Sequence, residues 1–202
     1  MKNLYLILLI LFSITHQVIA QQAILKKIEF GLRVGVNVSH MNFSRGSPQP
    51  EDPIEILWQT GGTIGIIMSV PIKGKLYFQP EYNIVQTGGE IEAEDLKYNL
   101  YYLSLPVLLK WKLNKRILFL SGPQIDVFIN GKMINDKIRT SLDHKIDQRS
   151  IGVISGIEYS ISKKWDIGTR FLYGIDHIGV IHQQKVQEFQ FEMFQLAITY
   201  RF

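Results

Sequence analysis

The sequence predicts an all-β fold: a single antiparallel, up-and-down transmembrane β-barrel of about eight strands, preceded by a cleavable signal peptide. Three observations predict it. The N-terminal apolar run is too short for a membrane-spanning helix, the rest of the chain has a dominant hydrophobic period of two, and short connections alternate with long ones. The 202 residues suit one domain of ordinary size.

The first predicted element is an export signal over residues 1–20. Lys2 supplies a positive charge, residues 4–12 form an unbroken apolar run, and the small residue Ala20 ends the segment. A helix that spans a membrane needs about 20 apolar residues, so this run fits a signal peptide better. We therefore expect cleavage after Ala20 and a barrel domain over residues 21–202; an uncleaved N-terminal anchor is the alternative.

The strands follow from alternation of apolar with polar or small residues. Residues 30–39 and 194–202 show it most clearly. A period of two places one set of side chains on each face of a strand. Each predicted strand is about as long as a tilted strand needs to cross a bilayer, roughly 9–11 residues or a little more. The predicted spans are 29–40, 57–70, 75–88, 98–112, 116–130, 149–161, 165–176 and 190–202.

The connections between these strands are of two kinds. Short turns are expected at 71–74, 113–115 and 162–164. Longer, more polar segments are expected at 41–56, 89–97, 131–148 and 177–189. Short periplasmic turns and long outward loops are typical of bacterial outer-membrane barrels. The pattern predicts location in the bacterial outer membrane, with both termini and the short turns on the periplasmic side.

Aromatic residues agree with this topology. Phe30, Trp111 and Trp165 lie beside the predicted periplasmic edge, as does Phe202. Amphipathic rings concentrate at membrane–water interfaces, so we predict a periplasmic-side aromatic belt here. Trp58 and Tyr98 are expected at the opposite edge.

If the apolar set faces lipid, the alternate residues face the lumen and include a balanced set of charges. An eight-stranded barrel has an interior just wide enough for side chains to fill it, and buried charges are tolerated when paired. We therefore predict a plugged, salt-bridged lumen rather than an open pore. The charged residues are Arg33, Glu81, Lys110, Asp126, Glu158, Asp166, Arg170 and Arg201.

Composition excludes several functions. Cysteine is absent, so disulfides, thiolate metal sites, catalytic thiols and lipidated N-terminal cysteines are excluded. A net charge of +4 without a basic stripe argues against nucleic acid as a partner. Glu81 and Glu158 are the sharpest catalytic candidates, but no orienting His or Ser is evident beside them. Asp176, His177 and His182 have a spacing that is common in loops by chance. We predict no catalytic residue, metal or cofactor.

Several segments resemble the PorT-like outer-membrane β-barrel family, over nearly the whole chain after the signal. The proline-bearing segment at 102–110 is the most specific of them. The resemblance implies the barrel fold and no catalytic residues; one namesake is associated with a protein-secretion and gliding apparatus. The closing pattern of Ile198, Tyr200 and Phe202 also resembles the recognition signal read by the outer-membrane assembly machinery. The matching segments are 31–39 (GLRVGVNVS), 76–82 (LYFQPEY) with 88–89 (GG), 102–110 (YLSLPVLLK), 122–123 (GP) and 200–202 (YRF).

The expected function is a non-enzymatic structural or accessory role, for instance in a secretion or envelope complex. The expected partners are outer-membrane lipid and lipopolysaccharide, the assembly machinery during biogenesis, and a protein bound through the outer loops. A lipid-modifying enzyme within the barrel, a narrow channel and a soluble lipocalin-like binder are the alternatives. The third long loop is expected to be a solvated loop of mixed charge, with electrostatic contact to lipopolysaccharide phosphates as the alternative. Its cations are Lys132, Lys137, Arg139, Lys145 and Arg149, and its anions are Asp136, Asp143 and Asp147.

Overall fold

The structure, a computed structural model, describes residues 28–45, 56–91, 95–135, 138–143, 145–182 and 185–202. Almost all of these residues lie in antiparallel strands, as the period of two predicts. Within these residues, no helix is long and apolar enough to cross a membrane. The predicted signal peptide and the loop over 46–55 lie outside the described residues.

Eleven strands are present in the described part of the chain, with one 3-10 turn at Phe43–Arg45. Eight are long, from 10 to 19 residues, and three are short. The long ones are β1 (Glu29–Asn42), β3 (Gln59–Lys73), β4 (Leu76–Ile91), β5 (Leu96–Lys112), β6 (Ile117–Asn135), β8 (Arg149–Ser160), β9 (Trp165–Gly174) and β11 (Lys185–Arg201); the short ones are β2 (Ile56–Leu57), β7 (Ile138–Ser141) and β10 (Ile178–His182).

The long strands pair in chain order, and β11 returns to pair with β1. That last ladder contains 12 residue pairs, from Gly31 opposite Arg201 to Asn42 opposite Gln190. The pairings therefore form a ring in which each long strand has two neighbours, so that no long strand is left with an unpaired edge. The short strands β2, β7 and β10 pair beyond this ring, with β4, β6 and β11.

The count of about eight strands is therefore too low, because parts of the segments expected to be loops are themselves paired. β6 continues to Asn135 and forms a hairpin with β7, and β11 begins at Lys185 and forms one with β10. The prediction of a long loop at 89–97 is wrong for the same reason. Most of it belongs to β4 and β5, which remain paired as far as Ile91 and Leu96.

The first short connection is tighter than predicted. Residues 71–73 belong to β3, and only Gly74 and Lys75 form the turn. Gly74 has a φ of 59°, a left-handed conformation that glycine adopts without steric cost. The other two short connections lie at 113–116 and 161–164, close to the predicted positions.

The outward face of the ring is apolar. On β1, side chains at even positions from Phe30 to Val38 are exposed and apolar, including Val34 (56% exposed) and Val36 (63%). The neighbouring strand β11 presents Leu196 and Ile198 in the same way, with 51% and 47% of each residue exposed. So much exposed aliphatic surface is costly in water and matches a hydrocarbon environment.

Aromatic side chains project outward beside the short connections. Phe30 is 54% exposed, Trp111 58% and Trp165 47%, and the Trp165 ring lies 4.8 Å from that of Tyr200. At the opposite edge Trp58 is exposed, but the expectation for Tyr98 is wrong: its side chain is fully buried inside the ring. Tyr98 has the same strand parity as the inward Lys110 on β5, so it faces the lumen.

Candidate functional site: a filled lumen in layers

The lumen is divided into layers of different chemistry along its axis. A buried charge network lies near the short connections, an apolar layer lies above it, and a larger apolar cluster closes the end formed by the long connections. Inward-facing positions of seven of the eight long strands contribute to these layers, because alternation sends every second side chain inside. The exception is β3, whose buried residues belong to none of the three groups.

The charge network has Glu158 and Arg170 at its centre. Arg170 donates from Nη1 and Nη2 to the two carboxylate oxygens of Glu81, each at 2.8 Å, and from Nη2 to Glu158 at 2.9 Å. Glu158 also accepts from Arg33 at 2.9 Å and forms an ion pair with Lys110 at 2.5 Å. All five side chains are buried, and they come from five strands (β1, β4, β5, β8 and β9). The network therefore ties distant strands together across the lumen.

Neighbouring amides complete the coordination of Glu81. Gln79 and Asn83, two positions to either side on β4, donate to its two oxygens at 2.5 Å and 3.0 Å. Glycines provide the room: a Cβ on Gly168 would lie 2.6 Å from the Glu158 side chain, and one on Gly156 would lie 2.8 Å from that of Arg170. Glycine in a strand often marks such a close approach.

The eight charges predicted for the lumen do not form one set. Arg201 lies at the mouth and is 21% exposed; its guanidinium donates to Asp166 at 2.9 Å and to Glu29 at 3.2 Å. Asp126 is separate from both groups. Its carboxylate accepts hydrogen bonds from Ser104 and Gln124 and, among the described residues, forms no ion pair. The network thus contains three cations and two anions, and the other three of the eight predicted charges lie outside it.

An apolar layer of six buried residues separates the network from the wider end of the lumen. Each of its members is at most 5% exposed. The residues are Val85, Leu108, Leu120, Ile154, Leu172 and Met193.

A larger cluster, here called the apolar cap, fills the end formed by the long connections. Its aromatic rings are in mutual contact: Phe189 lies 5.2 Å from Phe43 and 5.0 Å from Phe191, and Phe191 lies 5.8 Å from Tyr102. The members are Met41, Phe43, Ile91, Leu96, Tyr98, Leu100, Tyr102, Leu142, Ile146, Ile178, Val180, Phe189 and Phe191.

Connecting segments hold the cap in place. Ile146 forms a β-bridge with Val180, and the amide of Asp147 donates to the carbonyl of Gly179 at 2.9 Å. The Asp147 carboxylate accepts from the Gly179 amide at 2.7 Å. The connection between β7 and β8 is thereby fastened to β10, and both contribute apolar side chains to the lumen.

The network carboxylates are poorly suited to proton transfer. Both oxygens of Glu81 and of Glu158 already accept from cations or amides, and neither has a histidine or hydroxyl partner among the described residues. A general base needs a free oxygen within reach of its substrate. Of the metal candidates, His177 hydrogen-bonds through Nε2 to the Arg45 carbonyl at 2.8 Å. In the described part of the chain, no three His, Asp or Glu side chains form a metal-binding group.

A ring of antiparallel strands with an apolar outside and a packed inside defines a class of protein, the small outer-membrane β-barrel. The comparison with protein families agrees. Residues 19–179 match the family described as outer membrane protein beta-barrel domain, and the chain belongs to this family. The protein is accordingly located in the bacterial outer membrane. No curated protein sequence matches it.

Solved structures show the same fold at low sequence identity. Neisserial surface protein A is 11% identical with a TM-score of 0.56; the match covers 86% of this chain and 97% of that one. Ail, the attachment invasion locus protein of Yersinia pestis, is 13% identical with a TM-score of 0.51, covering 86% and 98%. OprG from Pseudomonas aeruginosa is 10% identical with a TM-score of 0.50, covering 86% and 95%. Short connections are typically periplasmic in this class, so the end with the charge network is called the periplasmic end and the end with the cap the outer end.

The apolar cap is the part of the lumen that sequence reasoning missed. Its signal was present on β5, where Leu96, Tyr98, Leu100 and Tyr102 share the parity of Lys110 and are therefore inward-facing. A lumen assigned only from charged residues overlooks such positions. Of the residues in the predicted assembly signal, Ile198 is exposed on β11, and Phe202, directly after this strand, is exposed and donates from its amide to the Phe30 carbonyl at 3.0 Å.

Proposed function

We propose that the chain is a non-conducting, non-enzymatic barrel with a structural or accessory role in the outer membrane. The observation that carries the proposal is the filled lumen. Charged side chains from five strands cross-link its periplasmic half, and the apolar layer, the apolar cap and buried polar side chains such as Gln59, Ser104 and Asp126 occupy the rest. The signal peptide, a closed eight-stranded ring as the membrane-embedded body and a PorT-like subfamily are part of the proposal.

The order of the layers argues against a narrow channel. A permeating ion would have to break ion pairs around Glu158 and then lose its hydration shell against side chains such as Leu108 and Phe191. Moving a charge from water into apolar surroundings without a partner is strongly unfavourable. The saturated coordination of Glu81 and Glu158 argues in the same way against a lipid-modifying enzyme.

An accessory role is supported by the outer end. The apolar cap and the hairpins β6–β7 and β10–β11 make an ordered platform from connections that would otherwise be loops. Exposed basic residues on it, Lys132, Arg139 and Lys145, would meet lipopolysaccharide phosphates or an acidic protein surface. Connections are where binding specificity usually lies on such scaffolds.

Single-channel recording in planar bilayers tests the non-conducting lumen. The refolded full chain should give no unitary current steps under conditions in which a general porin conducts. Reproducible steps whose size changes with the network variant Arg170→Gln would overturn this part of the proposal, because they would place the current in the lumen.

Site-specific photo-crosslinking in native outer membranes tests the accessory role. A crosslinker at exposed Arg139 should give a discrete protein adduct. The same crosslinker at lipid-facing Val34 should give adducts with lipid and, among proteins, with the assembly machinery alone. Identical adducts at both positions, or none at Arg139, would count against a partner at the outer end.

A further inference from the structure

The periplasmic mouth of the lumen opens into a cavity of about 470 Å³, here called the vestibule, which lies beneath the charge network. Its size is within the range of small-ligand sites, about 300–1,000 Å³. Lys110 connects the two regions, because it lines the vestibule and is ion-paired with Glu158. The lining residues with side-chain charge are Glu29, Lys110, Lys112, Lys115, Arg116, Lys163 and Arg201.

The charge of the vestibule is almost entirely of one sign. Glu29 is the single acidic residue of its lining and is already paired with Arg201. Lys112, Lys115 and Lys163, by contrast, form no ion pair within the described part of the chain. The lining also offers the hydroxyl groups of Ser69, Tyr77, Ser160 and Ser162.

The surrounding rim extends this asymmetry. Residues 69–80, 105–125 and 159–165, which contain the three short connections and their flanks, include no Asp or Glu. They contain two, four and two cations in turn, of which only Lys110 is deeply buried. Like charges gathered around one opening repel one another, and an anion bound among them relieves that repulsion. The geometry therefore points to a negatively charged occupant.

We propose that the vestibule binds an acidic peptide segment of a periplasmic protein. The lining cations come from β5, from the connections at 113–116 and 161–164 and from the end of β11, and they are spread around the mouth. This spread suits a chain carrying several carboxylates better than one compact anion. The cavity is too small for a folded domain but open to an extended segment. This proposal does not depend on whether the lumen conducts. It concerns the periplasmic end of the barrel, opposite the outer platform.

Two other occupants fit the mouth less well. The chain's own residues 21–27 contain Lys26 and Lys27 and no acidic residue, so they carry the same sign as the vestibule. Phospholipid headgroups surround the barrel on the outside, where other cations are placed to meet them. Lys164, for example, has its Nζ 5.6 Å from the Tyr200 ring centroid, beside the aromatic belt. Arg116, which also lines the vestibule, donates to the Tyr159 hydroxyl at 2.8 Å.

Fluorescence anisotropy with the refolded full chain in neutral detergent tests the proposal. The probe is a short labelled peptide of alternating Glu and Ser, and the matched control probe replaces Glu with Gln. Wild type should bind the acidic probe at least about tenfold more tightly than the control, and added NaCl should weaken the binding. The variant Lys112→Gln/Lys115→Gln/Lys163→Gln should lose about tenfold in affinity, a sum of three modest exposed charge interactions.

A control variant neutralises three exposed cations at the outer end instead: Lys132→Gln/Arg139→Gln/Lys145→Gln. It should keep wild-type affinity for the acidic probe and the same gel shift on heating as wild type. An equal loss in both variants would overturn the vestibule as the site. Failure of wild type to prefer the acidic probe would overturn the acidic peptide as the occupant. If the reconstituted barrel then interacted with phosphatidylglycerol through the same three lysines, the lipid surface would be the occupant instead.

Discussion

The two halves of the lumen are filled by opposite chemistry. The periplasmic half is held by directional contacts: Arg170 on β9 reaches Glu81 on β4 across the lumen at 2.8 Å and Glu158 on the neighbouring strand β8 at 2.9 Å. The outer half is held by the apolar cap, in which rings and aliphatic side chains pack without charge. Ion pairs fix which strands face each other but fail when one partner is lost, whereas apolar packing tolerates small changes of shape. The barrel thus combines a rigid base with an adaptable outer end.

The largest effect is expected from Arg170→Met. The substitution leaves Glu81 and Glu158 buried with fewer cations, and removing one partner of a buried pair costs about 3–5 kcal/mol. Urea unfolding of the refolded protein in detergent should show this loss of unfolding free energy. The exposed Arg116→Gln is the matched control and should change little. A loss below about 1 kcal/mol for Arg170→Met would break the contrast, since it would mean that the network contributes no more than surface charge.

A slightly smaller effect is expected from Leu100→Ala in the apolar cap. Truncating a fully buried leucine costs about 2–5 kcal/mol, with the lower values where neighbours relax into the space. An adaptable cap should place it in the lower half of that range. Leu109→Ala on the same strand faces lipid at 51% exposure and should cost less, because lipid chains fill the space. Equal losses at the two positions, again in urea unfolding, would contradict a packed outer lumen.

A third test concerns the outside of the barrel at its periplasmic edge. The Trp165 and Tyr200 rings have centroids 4.8 Å apart, and such pairs are worth about 0.5–1.5 kcal/mol beyond their burial. A double-mutant cycle of Trp165→Ala and Tyr200→Ala should return a coupling energy in that range. Zero coupling would show that the belt acts residue by residue at the interface rather than as contacting pairs.

The smallest effect is expected from Lys97→Gln. Lys97 pairs with Glu90 at 3.4 Å, with side chains 44% and 36% exposed, at the outer end of the barrel. Exposed pairs contribute about 0–1 kcal/mol, so the change in unfolding free energy should stay under about 0.5 kcal/mol. Comparison with Arg170→Met isolates burial as the variable, because both remove the cation from a pair with glutamate. If Lys97→Gln lowered the unfolding free energy as much as Arg170→Met, burial could not explain the large effect expected at Arg170.

The sequence predicted the strands well because period-two alternation is a local property. It placed the long strands within a few residues of their observed bounds and Lys110 on the inner face of β5. The same reasoning failed at Tyr98, because the alternation is inverted over residues 96–100: the apolar residues face the lumen, and the polar Lys97 and Asn99 lie on the other face. Strand parity counted from Lys110 would have placed Tyr98 correctly.

The rest of the candidate site depends on contacts that no local pattern encodes. Whether Asp126 joins Arg33 or pairs with Ser104 and Gln124 is decided by register and depth within the ring. The short strands β7 and β10 owe their structure to partners in β6 and β11, since residues 138–141 and 178–182 are too short for a period to be recognised. The cations of the vestibule were visible in the sequence, but their convergence on one mouth appears only when the turns are brought together.

The pairing of β1 with β11 also has a kinetic consequence. Glu29 and Arg201, 172 positions apart, are neighbours at the seam, so the ladder that closes the ring joins the two ends of the domain. Contacts of such sequence separation form slowly, because the intervening chain must be ordered first. Until the last strand arrives, β1 presents an unpaired edge to any other strand nearby, the usual starting point of aggregation. The chain therefore has to be shielded from other chains during its whole passage to the membrane. Until the β1–β11 ladder forms, an unprotected molecule is open to aggregation.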